Sequence, residues 1–309
     1  RAAAGVTVRL IVDAVGSRSM LAEAKRQLGP PGAEVRAFMP LRHSPIRGRT
    51  NLRSHRKLAV VDGERVFGGG MNLAEESMGA GVRPLGDPRW RDASALVSGP
   101  VARDAAALFE SDWRYCGGRL RVPEVPAPAE RGSELVQLVP SGPDMATDTV
   151  YDAFLTGIFS ARERVVLVTP YYVPDEALQH ALVLSARRGV RTEVVVPLRS
   201  NHRVADVARR ALLRELRAAG VRVHYYPHGM VHAKALAIDG SVAYVGSPNF
   251  DMRSLFLNYE VAFFVYSKDA VAGILGFIDE LVAESVASGP RQRENWLVER
   301  IARLLAPEL

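Results

Sequence analysis

His55-Arg56-Lys57-Leu58-Ala59-Val60-Val61-Asp62-Gly63 and His232-Ala233-Lys234-Ala235-Leu236-Ala237-Ile238-Asp239-Gly240 are one pattern written twice in a chain of 309 residues. Each copy runs on to a glycine and an asparagine at matching spacing: Gly69 and Asn72 in the first, Gly246 and Asn249 in the second. Lysine is scarce, at four (Lys25, Lys57, Lys234, Lys268) of the 40 basic side chains, and asparagine occurs six times. Two of each fall at the matched positions. From the chain's residue frequencies, one such set arises by chance with odds on the order of 10⁻⁴. A lone His-x-Lys would read as a surface pair, but two sets in register read as function.

Outward from these motifs the flanks repeat as well. Each histidine opens a β-rich run that ends at Asp-Gly, a hairpin signal. Ahead of the first motif lie a strand at Gly5 to Asp13, a helix at about 18–28 and a strand from Glu34 to Met39, closed by Pro40. Ahead of the second lie a strand at Gly189 to Pro197, a helix at about 202–218 and a strand from Val221 to Tyr226, closed by Pro227. The chain is therefore two copies of one α/β unit, residues 1–121 and 134–309. A proline-rich linker, 122–133, joins them and reads as semi-extended.

The copies are unequal. Before Gly189 the second shows a strand (Leu135 to Val139), a helix (about 146–162), a strand (Val165 to Thr169) and a helix (about 176–188), whereas only four residues precede Gly5. Symmetry predicts that roughly 50 residues of the first unit are absent. With Arg1 in place of methionine, the expectation is a fragment whose upstream part holds any membrane anchor.

Composition sets the class. With 48% hydrophobic and 24% charged residues the chain can bury a core. Its net charge of +6 suits an anionic partner, either nucleic acid or an acidic membrane surface. The single cysteine, Cys116, excludes an internal disulfide and a Cys-rich zinc site and reads as packing. No run reaches the ~18 apolar residues of a spanning helix.

On a strand, positions i and i+2 share a face, which sets each His beside its Lys and turns Arg56 and Ala233 away. The hairpin then returns Asn72 and Asn249 towards those pairs. Two units meeting about a pseudo-twofold axis would gather two imidazoles, two ammoniums and two carboxamides around one cleft. Ammonium and carboxamide groups donate well to phosphate oxygens. Two facing imidazoles can supply a nucleophile and a general acid. No carboxylate cluster suggests a metal, and no cofactor is expected.

This double HxKx₄Dx₆GxxN pattern resembles the phospholipase D superfamily. The second copy, from His232 through Gly246-Ser-Pro-Asn-Phe-Asp-Met-Arg-Ser-Leu-Phe-Leu-Asn-Tyr-Glu260, is similar to a stretch of bacterial cardiolipin synthases. Asn51 to Lys57, Trp90-Arg91-Asp92 and Thr169 to Asp175 fit the same branch. The resemblance implies two α/β/α sandwich units with mixed sheets, related by a pseudo-twofold axis, with the active site between them. It gives attack on phosphorus to His55 and acid–base work to His232. Lys57, Lys234, Asn72 and Asn249 would hold the phosphate, with Ser247 a further candidate. Glu260, and Asp92 after an inserted loop at about 77–89, would each hold a histidine's far nitrogen. The triplets also name Asp62 and Asp239, for which ordinary turn chemistry competes.

The implied reaction is phosphatidyl transfer through a phosphohistidine, most simply cardiolipin synthesis from two phosphatidylglycerols with release of glycerol. The partners are then an anionic phospholipid and a membrane surface, not nucleic acid. The location is the bacterial membrane, peripheral or anchored on the cytoplasmic side through a segment outside this chain. Phospholipase D hydrolysis, transfer to another alcohol, and nuclease action are the alternatives. Arg42, Arg47, Arg49 and Arg53 read as either a solvated loop or a headgroup rim. The remaining histidines lack a Lys partner, and His228 is the one placed near the cleft. Residues 296–305 read as a docking helix, with an interfacial membrane helix as the alternative.

Overall fold

Strand register shows the duplication directly. A computed structural model describes residues 1–30, 32–40, 51–78, 90–119, 132–289 and 296–305. Residues 122–131 of the linker, most of the inserted loop (79–89), and Arg42, Arg47 and Arg49 lie outside the described residues.

The first unit comprises β1 (Arg9–Asp13), α1 (Arg18–Leu28), β2 (Glu34–Phe38), β3 (Leu58–Val61), β4 (Arg65–Gly69), β5 (Ser94–Ser98) and α2 (Pro100–Tyr115). The second opens with β6 (Val136–Ser141), α3 (Thr149–Ser160), β7 (Arg164–Val168), β8 (Tyr172–Val173) and α4 (Glu176–Arg187). It continues with β9 (Arg191–Pro197), α5 (Arg203–Ala218), β10 (Arg222–Tyr226), β11 (Ala235–Ile238), β12 (Val242–Gly246) and β13 (Phe250–Asp251). Last come α6 (Met252–Phe256), β14 (Glu260–Val265), α7 (Lys268–Ala283) and α8 (Trp296–Leu305).

In the second unit seven strands form one mixed sheet in the order β10-β9-β7-β11-β12-β14-β6. Its centre is apolar on both faces, as a doubly covered sheet requires: β7, β9 and β11 are buried almost throughout. One face packs on α3, α4 and α5, the other on α7. α5 sets Ala205, Ala208, Leu212 and Leu216 on its buried side, a helical spacing. The Asp175 carboxylate caps α4 by accepting from the amides of Ala177 and Leu178.

The first unit repeats this register strand for strand. Arg9 opposes Glu34 as Glu193 opposes Arg222, and Leu58 opposes Gly68 as Ala235 opposes Val245. Its sheet is nonetheless in two pieces, β1-β2 and β3-β4-β5. In the second unit β7 sits between β9 and β11 and pairs with both. No described residue plays that part between β1 and β3. Among the described residues, the mixed sheet expected of both units is therefore realised in the second alone. The same shortfall bares one face of the first sheet. Val61, Phe67 and Leu96 are 55%, 40% and 68% exposed. Their matches in the second unit, Ile238, Tyr244 and Phe264, are buried beneath α3, where Phe154 meets the Tyr244 ring edge-on at 4.8 Å.

The units join through an apolar seam of Val66, Val101, Ala102 and Ala105 from the first and Phe263 from the second. Gly68 is required there, since a Cβ would collide with the Phe263 ring. Two bridges related by the pseudo-twofold complete the junction, Ser54 with Tyr259 and Arg91 with Val231. α8 docks on the second unit, with Ala302 in the core and Glu299 paired to Arg214 at 2.6 Å.

Candidate active site

The histidines lie just ahead of β3 and β11 rather than inside them, in segments held across the unit boundary. The His55 amide donates to the Tyr259 carbonyl at 2.9 Å, and the His232 amide to the Arg91 carbonyl at 2.7 Å. In the same symmetric way, Lys57 Nζ donates to the His55 carbonyl at 2.8 Å and Lys234 Nζ to the His232 carbonyl at 2.6 Å.

This junction exchanges carboxylates between the units. His55 Nδ1 lies 2.8 and 2.9 Å from the two oxygens of Glu260, which belongs to the second unit. His232 Nδ1 lies 2.6 Å from Asp92 Oδ2, which belongs to the first. Strand register makes Asp92 the counterpart of Glu260: β5 follows Asp92 along β4 as β14 carries Glu260 along β12. A carboxylate at Nδ1 fixes the proton there and leaves the Nε2 lone pair available.

The two halves differ in detail. Ser247 Oγ donates to Glu260 Oε2 at 2.5 Å and accepts from the Val261 amide at 2.9 Å. Ser247 therefore supports the carboxylate, whereas the sequence offered it as a further candidate for the phosphate. At the matching place the first unit has Gly70, where any side chain would strike the Asp92 carboxylate. Glycine with the shorter Asp and serine with the longer Glu are two solutions to one fit. The Trp90 ring lies 4.8 Å from the His232 ring and covers it. The side chain of His232 is 5% exposed against 27% for His55.

Burial and the neighbouring ammoniums act together on the imidazoles. Loss of solvent pulls His232 down to about 3, helped by Lys234 and resisted by Asp92. His55 is lowered by burial too, with Glu260 opposing. Both lysines depress both histidines, which places the four groups in one electrostatic cluster. Burial brings Lys57 down to about 8 and Lys234 to about 7. Glu260 stays below the usual carboxylate range because His55, Lys57 and Ser247 outweigh its burial. Lys234 Nζ lies 2.9 Å from both ring nitrogens of His232, whereas His55 Nε2 has no partner among the described residues.

A cavity of about 1170 Å³ opens on the first motif, lined by His55, Lys57, Asn72 and Asn249. Asn249 keeps its Oδ1 unpartnered while its amide serves Asp251. Part of this volume is the break between β1 and β3, for Leu10, Ile11, Leu58 and Phe67 also line it. Arg53 lies at the wall, bonded to the Met39 carbonyl at 3.1 Å. Among the described residues no group of three or more His, Cys, Asp or Glu side chains is arranged to hold a metal ion.

Two aspartates leave the site. Asp62 and Asp239 sit at the hairpin turns with φ of 54° and 51°. Asp239 accepts the amides of Arg162, Glu163 and Arg164, each at 2.8 Å, tying its hairpin to the start of β7. Asp62 is exposed. Asp239→Ala is expected to cost about 1–3 kcal/mol of stability and to leave kcat of the folded enzyme unchanged, measured by thermal melting beside steady-state turnover. His228 is exposed outside the cavity, and His202, at the start of α5, lines it instead. The signal for His202 was its place after a parallel strand, where α/β sheets gather ligands.

Residues 154–281 match the family model described as "Cardiolipin synthase, PLD-like domain". Across the whole chain, the cardiolipin synthase of Geobacillus thermodenitrificans is 34% identical over 100% of this chain and 63% of its own length. Cardiolipin synthase 2 of Bacillus cereus is 34% identical over 99% of this chain and 60% of its own. The chain thus spans under two thirds of the length of these curated relatives. Among solved structures, the phosphatidylserine synthase of Haemophilus influenzae superposes with a TM-score of 0.68 at 13% identity, covering 98% of this chain and 83% of that one. Duplicated motifs, imidazoles held crosswise at one junction and whole-chain similarity agree: the chain is similar along its whole length to cardiolipin synthases, and residues 154–281 match their PLD-like domain.

Proposed function

We propose that this protein transfers phosphatidyl groups by double displacement, forming cardiolipin from two phosphatidylglycerols. The observation that carries the reading is the pair of imidazoles, each fixed at Nδ1 by the other unit's carboxylate within reach of two lysines. His55 Nε2 attacks phosphorus and the bond to the glycerol oxygen breaks, with that oxygen taking a proton from His232. The incoming diester anion favours an extra proton in the cluster, and this offsets the low affinity of His232 for one. Lys57, Lys234 and the carboxamides of Asn72 and Asn249 bear the charge on the non-bridging oxygens. A second phosphatidylglycerol then gives its hydroxyl proton to His232 while its oxygen attacks phosphorus, and the N–P bond breaks. Two inversions retain configuration.

The net charge of +6 supports an acidic membrane as the working surface. No described helix is long and apolar enough to cross a membrane, so peripheral or anchored attachment at the bacterial membrane is the matching arrangement. The test incubates full-length protein with phosphatidylglycerol vesicles in EDTA, following products by mass spectrometry. Cardiolipin with equimolar glycerol, both lost in His55→Ala, is the expected result. Phosphatidic acid alone would replace transfer by hydrolysis, and cleavage of single-stranded DNA without lipid turnover would overturn the reading.

A further inference from the structure

The two halves of the junction are locked to their surroundings in different ways. Beside His55 the lock is Arg56, whose side chain is 3% exposed. Its guanidinium donates to the Glu260 carbonyl at 3.1 Å, to Asp112 Oδ1 at 2.6 Å and to the Ser141 carbonyl at 3.3 Å, and it lies over the Tyr259 ring at 5.2 Å. Asp112 belongs to α2 of the first unit, while Ser141, Tyr259 and Glu260 belong to the second. One planar cation therefore ties together the segment carrying His55, the helix behind it, and the strand that brings Glu260.

The repeat puts Ala233 where Arg56 stands. On that side the cation comes from Arg91, which reaches Glu280 of α7 at 3.5 Å and lies 5.8 Å from the Phe277 ring. Glu280 is 68% exposed, whereas Asp112 is 12% exposed. An exposed pair at that separation contributes little. A buried guanidinium with several short bonds resists displacement, because breaking it strands a charge away from water.

We infer that Arg56 is a positioning residue, which holds the backbone of Glu260 so that its carboxylate stays on His55 Nδ1. The inference rests on the proposed attack by His55. It separates two functions in the motif: Lys57 faces the phosphate, and Arg56, on the opposite face of the same segment, aims the nucleophile. Misplacing an attacking atom by about 1 Å is enough to cost ~10²-fold in rate.

The experiment compares full-length wild type, Arg56→Lys, the double variant Arg56→Met/Asp112→Leu, and Arg91→Met in phosphatidylglycerol turnover across pH, with thermal melting alongside. The double variant removes both partners of the buried pair, so folding does not depend on stranding Asp112. The expected result is a kcat lowered about 10- to 100-fold with KM within about threefold in both Arg56 variants. The limb of kcat/KM that rises as His55 loses its proton moves to lower pH, because a loosened Glu260 no longer supports the imidazolium. Arg91→Met changes kcat by less than about threefold. Loss of kcat in proportion to folded protein, with the limb unmoved, would make Arg56 a structural residue only. Unchanged kcat in the double variant would also overturn the inference. Absence of turnover in the wild type would instead defeat the functional reading on which it stands.

Discussion

Alanine at His55 is expected to abolish turnover of every phosphodiester, and alanine at His232 to spare a diester whose leaving group needs no proton. The difference follows from the asymmetry of the site. His55 is the more open imidazole, with Nδ1 committed to Glu260 and Nε2 without a partner among the described residues. His232 is enclosed by Trp90, with Lys234 against its ring, 2.9 Å from both nitrogens. A nucleophile is needed whatever departs, while a general acid matters in proportion to the basicity of the leaving oxygen. With phosphatidylglycerol, both variants are expected to lose at least ~10²-fold in kcat, since acid catalysis alone is worth ~10²–10⁴. With a 4-nitrophenyl phosphodiester, His232→Ala recovers release of nitrophenolate to within about tenfold of wild type, and His55→Ala does not. In His232→Ala the covalent adduct also persists, because the base for the second step is gone. An acid-labile, alkali-stable phosphate on the protein by mass spectrometry reports it. Nitrophenolate release by His55→Ala, with the adduct on His232, would reverse the two roles.

Much of this was legible because it is local. α1 and α5 fall at Arg18–Leu28 and Arg203–Ala218, where apolar spacing and bounding strands placed them. The two units followed from one motif read twice. What sequence could not order were contacts between distant residues. Glu260 and Asp92 were marked as carboxylates for histidines, but their exchange across the axis depends on how the two sheets meet. Ser247 matched a pattern as a hydroxyl near phosphate. Only the approach of β12 to β14 shows that it lies against Glu260, since both are wholly buried there. Arg56, alternating away from the cleft on a strand, read as incidental because its partners are Asp112, Ser141 and Tyr259. Asp62 and Asp239, which the motif names and for which turn chemistry competed, sit at the hairpin turns with positive φ.

Rising pH is expected to weaken catalysis while it strengthens the fold, and the opposed signs identify the lysines as the cause. Burial brings Lys57 to about 8 and Lys234 to about 7, with Lys57 also depressing Lys234. The diester is anionic, so productive binding needs both ammoniums charged. As pH rises through these values the free enzyme loses them, and kcat/KM falls from about 7 upward in steps that belong to the pair. Bound phosphate favours the charged forms, so the fall in kcat comes at higher pH than the fall in kcat/KM. For stability the sign reverses. The unfolded lysines keep protons up to ~10.4, so between pH ~7 and ~10 the unfolded chain binds more protons than the folded one. Unfolding free energy therefore increases with pH across that window and is lost as pH falls through the folded values. Lys234→Met removes the lower step: kcat/KM is expected to drop by ~10²–10³ and its descending limb to move to about 8, the value of Lys57. Urea unfolding and initial rates on the same samples across this range provide the check. A stability that falls together with kcat/KM would attribute the rate loss to unfolding, and would remove the lysines from the binding of the phosphate.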